Sequence, residues 1–235
     1  MVRFAPSTID QNQFGSKLNS LRAAVLGAND GIVSVAGLVV GVAGATSSKS
    51  IIFTAGLAGL VAGALSMAVG EYISVSSQRD TEKALLRKEQ HELETDPHGE
   101  LQELAQHYRT KGLSETTAKT VAQELTKHDV FAAHVETELG FDPENLTNPV
   151  HAAIASAASF LAGAIIPLVV AVVLPASTRV PLTFLAVLVA LVITGILSAI
   201  VSGADTTKAT LRVVIGGALA MAITFGIGHL FGINA

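Results

Sequence analysis

The sequence predicts an all-α membrane protein with five transmembrane helices and a three-helix cytoplasmic domain inserted between the second and third of them. Half of the 235 residues are hydrophobic and 14% are charged, a composition that is typical of membrane proteins rather than soluble domains. The apolar residues also form five continuous segments, each close to the roughly 20 residues that a helix needs to cross a bilayer. These segments are residues 23–45, 51–75, 149–174, 180–201 and 211–231.

The first apolar segment, residues 23–45, contains Asp30 as its single charged residue. A carboxylate inside a bilayer is costly, so such a residue is a functional candidate by default. Four small residues share the helix face of Asp30: Ser34, Gly37, Gly41 and Gly44. Because a stripe of small residues lets another helix approach closely, Asp30 is predicted to face a protein neighbour or a water path, and not lipid.

The second apolar segment, residues 51–75, carries Met67 and Glu71, which lie four residues apart and therefore on one helix face. Both side chains are potential ligands for a metal ion. The alternative interpretation is that Met67 is ordinary packing and that Glu71 lies near the cytoplasmic headgroups.

Residues 79–145 differ completely from the apolar segments on either side. They hold 15 of the 19 acidic residues, 8 basic residues and five of the seven histidines, and their net charge is −7. Such a charged stretch is predicted to form a small helical domain in water.

Three helices are predicted in this domain, and the first of them continues out of the second span. The second begins at the N-cap Asp96 and can close at Gly112. The third begins at the N-cap Ser114 and ends before Gly140. An apolar stripe on the third helix is formed by Val121, Leu125, Ala132, Val135 and Leu139.

The connections between the last three spans are predicted to be short. Pro175 and Pro181 bracket a turn between the third and fourth spans, and Asp205 lies in the connection between the fourth and fifth. The predicted division of the chain is 1–20, a cytoplasmic segment; 21–78, transmembrane helices 1 and 2; 79–147, the acidic metal-binding domain; and 148–235, transmembrane helices 3 to 5.

The distribution of lysine and arginine predicts the orientation in the membrane. If the acidic domain is cytoplasmic, 13 of the 15 basic residues lie on that side, and only Lys49 and Arg179 lie on the other. Cytoplasmic loops carry such an excess of positive charge. The N-terminus and the helical domain are therefore placed in the cytoplasm, and the odd number of spans puts the C-terminus on the far side. Residues 1–20 lack the apolar core of a signal peptide, so the first apolar segment is expected to be a retained span.

Two pairs of glutamates flank the predicted turn at residues 96–99. They are Glu89 with Glu92, and Glu100 with Glu103. Residues three apart share a helix face, and the turn would fold one pair toward the other. Oxygen-rich clusters with an occasional imidazole suit divalent ions such as Fe²⁺ or Mn²⁺, and thiolate ligands are excluded because the chain has no cysteine. The alternative is that these glutamates form a solvated helix face.

Three sequence motifs resemble the vacuolar iron transporter family. They are GANDGIVS at residues 27–34, SMAVGEYISVSSQRDTE at 66–82 and HDVFAAHVETELG at 128–140. The order of two spans, an acidic helical insertion and three spans also matches the family over nearly the whole chain. The SMAVGEYISV form is similar to the nodulin-like branch, whereas the combination with a soluble domain resembles the bacterial members.

The resemblance implies a homodimer that moves Fe²⁺, and often Mn²⁺, out of the cytosol in exchange for protons. The transport path would follow the first span at the dimer interface, with Asp30 and Met67 in the path and Glu71 near the cytoplasmic entrance. The metal ligands of the soluble domain would be Glu89, Glu92, Glu100, Glu103 and Glu138, with His134 as a further candidate.

The sequence departs from the family pattern at three places. Ala23 and Gly59 stand where the family often has acidic residues, while Glu71 appears one turn after Met67. His134 replaces one of two methionines that some members place before the last glutamate. An imidazole at this position still permits Fe²⁺ and favours Zn²⁺ more than a thioether does.

The favoured function is a proton-coupled exporter of Fe²⁺, with Mn²⁺ or Zn²⁺ as further ions, in a bacterial cell membrane. It needs a lipid bilayer and a second copy of the chain, but no prosthetic group and no nucleic acid. The rival interpretation is a membrane-anchored protein that binds or senses metal without transporting it. An enzyme such as a ferroxidase is disfavoured, because the paired Glu-x-x-His motif of di-iron helical bundles is absent from the sequence.

Overall fold

The structure is a computed structural model that describes residues 11–141, 143 and 146–232, with side chains described from residue 23 onward. Residues 1–10 of the predicted N-terminal segment lie outside the described residues. Helices are the only regular secondary structure among the described residues, with no strand, which confirms the predicted fold class. The helices are α1 Gln11–Ala45, α2 Lys49–Thr95, α3 Pro97–Thr110, α4 Glu115–His134, a π-helical turn Val135–Leu139, α5 Pro149–Val173, α6 Ala176–Ser202 and α7 Thr206–Gly232.

Five of these helices are long and apolar enough to cross a membrane, as the sequence predicts. They are α1 from Ala23 onward, α2, α5, α6 and α7. The prediction was wrong for Pro181, which lies inside α6 and not at its boundary. Because α6 begins directly after Pro175, residue 181 falls in the second helical turn, where the missing N–H removes a single backbone hydrogen bond.

The chain divides into two compact units, residues 1–73 with 149–235, and residues 74–148. In the first, which we call the membrane unit, α1 packs against α5, α6 and α7. One face of α1 contributes Val35 and Val39 to a core shared with α2 and α5, centred on Phe160. Another face contributes Ile32 and Ala36 to a core shared with α6 and α7. Helix α1 is therefore the central helix of the membrane unit.

Glycines allow the neighbours of α1 to approach closely. A Cβ at Gly31 would overlap the carbonyl oxygen of Phe160 on α5, and a Cβ at Gly228 on α7 would overlap the carbonyl oxygen of Gly41. Gly41 itself faces Thr224 of α7. The predicted small-residue stripe of α1 thus packs, at Gly37, Gly41 and Gly44, against α7 of the same chain.

The second unit, residues 74–148, is referred to as the soluble unit and contains the end of α2, α3, α4 and the π-helical turn. Its helix ends are those predicted. An Asp96 carboxylate oxygen accepts a hydrogen bond from the Gly99 N–H at 2.9 Å, and Ser114 Oγ accepts one from the Thr117 N–H at 3.3 Å. Gly140 ends the π-helical turn in the left-handed conformation, with φ of 67°.

Helix α4 has a kink at Asp129, which the sequence analysis did not predict. Asp129 has extended φ and ψ angles of −160° and 100°, and its carboxylate accepts a hydrogen bond from the Ala132 N–H at 2.9 Å. The residue thereby restarts the helix as an internal N-cap. The predicted stripe was wrong at Ala132, which is exposed, because the kink changes which residues face α3; the buried ones are Ala118, Ala122, Ala133, His134 and Val135.

We expect Gly228→Ala to destabilise the membrane unit, because a Cβ at this position would overlap the Gly41 carbonyl oxygen. Overpacking of this kind costs about 1–3 kcal/mol. The matched control is Gly226→Ala on the same helix, since nothing lies within 4 Å of a Cβ there. The measurement is the apparent melting temperature of the purified protein in detergent. Equal melting temperatures for the two variants would contradict a role for Gly228 in this close approach.

Candidate functional site

The membrane unit contains a cavity of about 220 Å³ between α1, α2 and α5. Its polar and soft groups are Asp30 and Ser34 on α1, with Ser66 and Met67 on α2. Gly59, Gly63 and Phe160 are among the residues that form the rest of its wall. Asp30 is the only carboxylate among the described residues that line the cavity. Carboxylate, hydroxyl and thioether groups are all able to coordinate a divalent transition metal ion.

Asp30 is placed toward the cavity by the residues beside it. The neighbouring Asn29 side-chain oxygen accepts a hydrogen bond from the Thr194 hydroxyl of α6, which ties the other side of α1 to α6. The Asp30 side chain is exposed in the single chain and lies on the face that lines the cavity. Sequence analysis missed the Asn29–Thr194 contact, because the two residues are 165 positions apart and nothing distinguishes Thr194 from the other hydroxyl residues of its span.

The remaining predicted path residue, Glu71, does not line this cavity. It is half-buried on α2, one helical turn beyond Met67. Gly59 lines the cavity. At this position, where the family resemblance suggested an acidic residue, the chain therefore presents no side chain to the cavity. The structure thus brings Asp30 and Met67 to one cavity and leaves Glu71 outside its lining.

The soluble unit contains a cluster formed by three carboxylates around one imidazole, which we call the soluble cluster. Its members are Glu89 on α2, Glu100 on α3, His134 at the end of α4, and Glu138 on the π-helical turn. The His134 Nδ1 atom lies 3.0 Å from Glu89 Oε1, 3.1 Å from Glu138 Oε1 and 3.5 Å from Glu100 Oε2. One ligand atom from each of the four residues lies within 4.8 Å of the others.

These distances fit a shared metal ion. With metal–ligand bonds of about 2.1 Å, neighbouring ligand atoms are about 3.0 Å apart in an octahedron and about 3.4 Å apart in a tetrahedron. Two of the distances from Nδ1, 3.0 and 3.1 Å, fall in this range, and the third, 3.5 Å, lies just above it. A single N–H on Nδ1 cannot donate to three carboxylates at once, whereas one cation can bind all four groups. The residues present therefore fit a divalent metal ion.

Burial makes the ionised carboxylates of the soluble cluster energetically unfavourable in the absence of a cation. His134 is fully buried and Glu89 is 5% exposed. Burial raises the pKa of Glu89, Glu100 and Glu138 above the ordinary carboxyl value, and neighbouring carboxylates raise it further, while His134 opposes the shift. Such groups repel one another when ionised, and a bound cation would relieve this repulsion.

Two buried atoms of the soluble cluster have no hydrogen-bond partner among the residues that the structure describes. They are Glu89 Oε1 and His134 Nε2. Glu89 Oε1 is close to His134 Nδ1, but the contact lacks hydrogen-bond geometry. Unpaired buried polar atoms are rare in folded proteins, and binding of an ion by these atoms would explain them.

The six predicted metal ligands separate into two groups. Four of them form the soluble cluster, whereas Glu92 and Glu103 do not belong to it. Glu92 pairs with Lys88 at 2.7 Å, and Glu103 is exposed. Both lie near enough for their charges to raise the pKa of Glu89. Each of the two glutamate pairs therefore contributes one residue to the soluble cluster, because only one member of each pair points inward from its helix.

The π-helical turn determines where Glu138 lies. It begins directly after His134, and it is tied to α3 by a contact of 3.4 Å between the Tyr108 and Thr137 hydroxyls. Glu138 Oε1 is thereby held 3.1 Å from His134 Nδ1. Short π-helical segments occur frequently at functional sites. Neither the turn nor its contact with Tyr108 was predicted from the sequence.

Comparison with known proteins gives one consistent result. The family model described as the VIT family matches residues 21–229. A vacuolar iron transporter of Acanthamoeba castellanii is 45% identical over 217 residues, which cover 89% of this chain and 78% of that protein. Vacuolar iron transporter homolog 4 of Arabidopsis thaliana is 38% identical, with 93% and 87% covered, and homolog 1 of Oryza sativa is 37% identical, with 91% and 75% covered.

We expect Glu89→Gln to stabilise the metal-free protein at pH 8. Folding raises the pKa of Glu89, so the stabilising contribution of this group is fully present below the ordinary carboxyl pKa and is lost as the pH rises through the folded-state value. Above that range the buried charge is destabilising, and its removal should raise the apparent melting temperature by about 2–4 °C, equivalent to about 1 kcal/mol.

The same substitution should weaken the stabilisation that added Zn²⁺ gives to the wild-type protein. Both effects can be measured by thermal unfolding of the full chain in detergent, with and without the ion. Glu124→Gln, at an exposed position of α4, is the matched control and should change neither. A metal-free Glu89→Gln protein less stable than wild type would show that the carboxylate stabilises the fold and is not a site group.

Proposed function

Because the chain belongs to the VIT family, we propose that it transports Fe²⁺ out of the cytosol in exchange for protons, with Mn²⁺ as a second cargo. The observation that carries this proposal is Asp30, a carboxylate within a membrane span that lines a cavity with Met67. A structural anchor gains nothing from that energetic cost. No catalytic residue is assigned, since the family consists of transporters rather than enzymes.

Asp30 and Met67 have distinct roles in this mechanism. The Asp30 carboxylate binds the divalent ion through its negative charge, and the Met67 sulfur offers a softer donor that hard ions such as Mg²⁺ use poorly. Protonation of Asp30 from the far side removes its charge and weakens its hold on the ion. Alternate binding of a proton and a metal ion to one carboxylate is a physical route to antiport. Glu71, one turn from Met67 on α2, lies near the cytoplasmic entrance.

The soluble cluster collects the ion on the cytoplasmic side before transport. Three carboxylates and an imidazole provide a donor set for a divalent transition metal. Glu92 and Glu103 add negative charge beside it without belonging to the four-residue set. Negative charge around a site raises the local concentration of cations.

A second copy of the chain completes the transport path. Asp30 is exposed in the single chain, and a carboxylate at this depth has to face protein or water. One carboxylate also balances only half of the charge of a divalent ion. Two copies of α1 meeting at a two-fold axis would cover both Asp30 side chains and supply two carboxylates to one ion.

The charge distribution supports a cytoplasmic N-terminus and soluble unit, with the C-terminus on the far side. We propose a bacterial cell membrane as the location, because the domain arrangement resembles that of the bacterial members of the family. The soluble cluster by itself would also suit the second candidate function, a membrane-anchored metal sensor, because its four ligands all belong to the soluble unit. Flux measurements separate the two functions, since a sensor binds metal without moving it.

We expect Asp30→Asn to reduce Fe²⁺ flux into proteoliposomes to background under an imposed pH gradient, because an amide neither carries charge nor exchanges a proton. The matched control is Asp205→Asn. Asp205 caps the start of α7 by accepting a hydrogen bond from the Lys208 N–H at 2.9 Å, and asparagine is an equally good cap. The control should retain wild-type flux. Normal flux in Asp30→Asn would exclude this carboxylate from the mechanism.

Two further variants complete the flux experiment. Met67→Leu keeps the volume of the side chain and should slow Fe²⁺ flux, whereas Met221→Leu, in the core shared by α1, α6 and α7, should not. Glu100→Gln should slow flux at low Fe²⁺ concentration without abolishing it. Absence of flux in the wild-type protein, with metal binding intact, would favour the sensor function.

We expect Ser34→Cys to form a disulfide between two copies on mild oxidation in membranes. The chain has no cysteine, so a single introduced thiol reports on proximity to another copy without interference. Ser34 lines the cavity one helical turn from Asp30. Leu219→Cys, at an exposed position of α7, is the control and should stay monomeric on a non-reducing gel. Equal cross-linking of both variants would argue against a specific interface at α1.

A further inference from the structure

We propose that His134 determines the metal preference of the soluble cluster, so that the cluster binds Zn²⁺ and Fe²⁺ in preference to Mn²⁺, Mg²⁺ and Ca²⁺. This inference rests on the proposed function, in which the cluster collects the cargo. Collection alone does not require a histidine, because carboxylates by themselves also bind divalent ions. The imidazole at the centre of the carboxylates therefore adds a property beyond binding.

His134 is the only nitrogen donor in the soluble cluster. Its Nδ1 atom faces oxygens of Glu89, Glu100 and Glu138 at 3.0 to 3.5 Å. Among the described residues, no other histidine belongs to the cluster. Carboxylates suit Mg²⁺, Ca²⁺ and Mn²⁺, whereas imidazole suits Zn²⁺ and Fe²⁺. The affinity difference between these two groups of ions is therefore expected to depend on one side chain.

The burial of His134 fixes the position of this nitrogen. The side chain is fully buried, and the helix changes from α to π geometry directly after it. Its other ring nitrogen, Nε2, has no hydrogen-bond partner within the part of the chain that the structure describes. The ring is thus not held by a polar network of its own, and its polar contacts are those of Nδ1 with the three carboxylates.

The number and type of the donors also disfavour Ca²⁺ and Mg²⁺. Ca²⁺ takes six to eight ligands, nearly all of them oxygens. Four protein donors, one of them nitrogen, do not provide that set. Mg²⁺ matches the bond length but prefers oxygen ligands and retains its water. The number and the chemistry of the donors therefore favour the same ions.

The test measures metal binding by the full chain in detergent micelles, with no transport involved. Isothermal titration with Zn²⁺ and Mn²⁺ compares wild type, His134→Gln, His134→Met and the control His128→Gln, an exposed histidine of the same helix. We expect His134→Gln to lose Zn²⁺ affinity by about 10- to 100-fold or more, the size of effect that even outer-shell changes produce. The Mn²⁺ affinity should change much less, and His128→Gln should behave as wild type.

X-ray absorption at the zinc edge provides a second measurement, whose wild-type arm does not depend on the folding of any variant. The wild-type protein with one equivalent of Zn²⁺ should show scattering from one imidazole, and His134→Gln should lack it. No imidazole scattering in wild type, or its persistence in His134→Gln, would overturn the inference. So would equal losses of Zn²⁺ and Mn²⁺ affinity.

The outcome is separable from that of the transport experiment. Suppose that the wild-type protein transports Fe²⁺ but has the same preference for Zn²⁺ over Mn²⁺ as His134→Gln. This result would refute only the role of His134 and would leave the transport function standing. A protein with the expected binding preference but no flux would refute transport and leave the selective site standing. Absence of metal binding at the soluble cluster would overturn both this inference and the collecting role of the cluster.

Discussion

The central constraint on this structure is that carboxylates lie in two places where desolvation or mutual repulsion makes their negative charge unfavourable. Asp30 lies within a membrane span, and Glu89, Glu100 and Glu138 gather around a buried histidine. Neither site includes a lysine or arginine among its described residues that would neutralise it. A fold selected only for stability would pair or remove such carboxylates. Both sites instead retain a charge that an incoming divalent cation would balance.

The packing around α1 explains why Asp30 lines the membrane cavity. Glycines bring α5 and α7 against α1, and the Asn29–Thr194 contact ties α1 to α6. The contacts with α5 and α6 involve residues beside Asp30, and those with α7 begin about two turns further along α1, at Gly37, so that the carboxylate itself lines the cavity with α2. The position of Asp30 therefore follows from what surrounds the rest of the helix, and not from a side-chain partner among the residues that the structure describes.

Local sequence signals predicted most of the fold and part of the site. Hydrophobic length located the spans, and the caps at Asp96 and Ser114 located the helices of the soluble unit. The spacing of the glutamates indicated a cluster, but it could not separate Glu100, which points inward, from Glu103, which is exposed. That distinction depends on how α3 is rotated against α4, which is a tertiary property. The kink at Asp129 could not be predicted from the sequence pattern either. An interruption of one residue leaves the helix-forming composition on both sides of it unchanged.

The two sites differ in how completely one chain builds them. The soluble cluster draws four donors from a single copy, and each is close to the others without help from a second chain. The membrane cavity offers one carboxylate, one thioether and two hydroxyls, fewer charges than a divalent ion needs. A single copy is therefore equipped to bind metal, while the transport path that we propose draws on the charge of a second copy. Weakening the association of copies should then separate the two properties, with transport lost before binding.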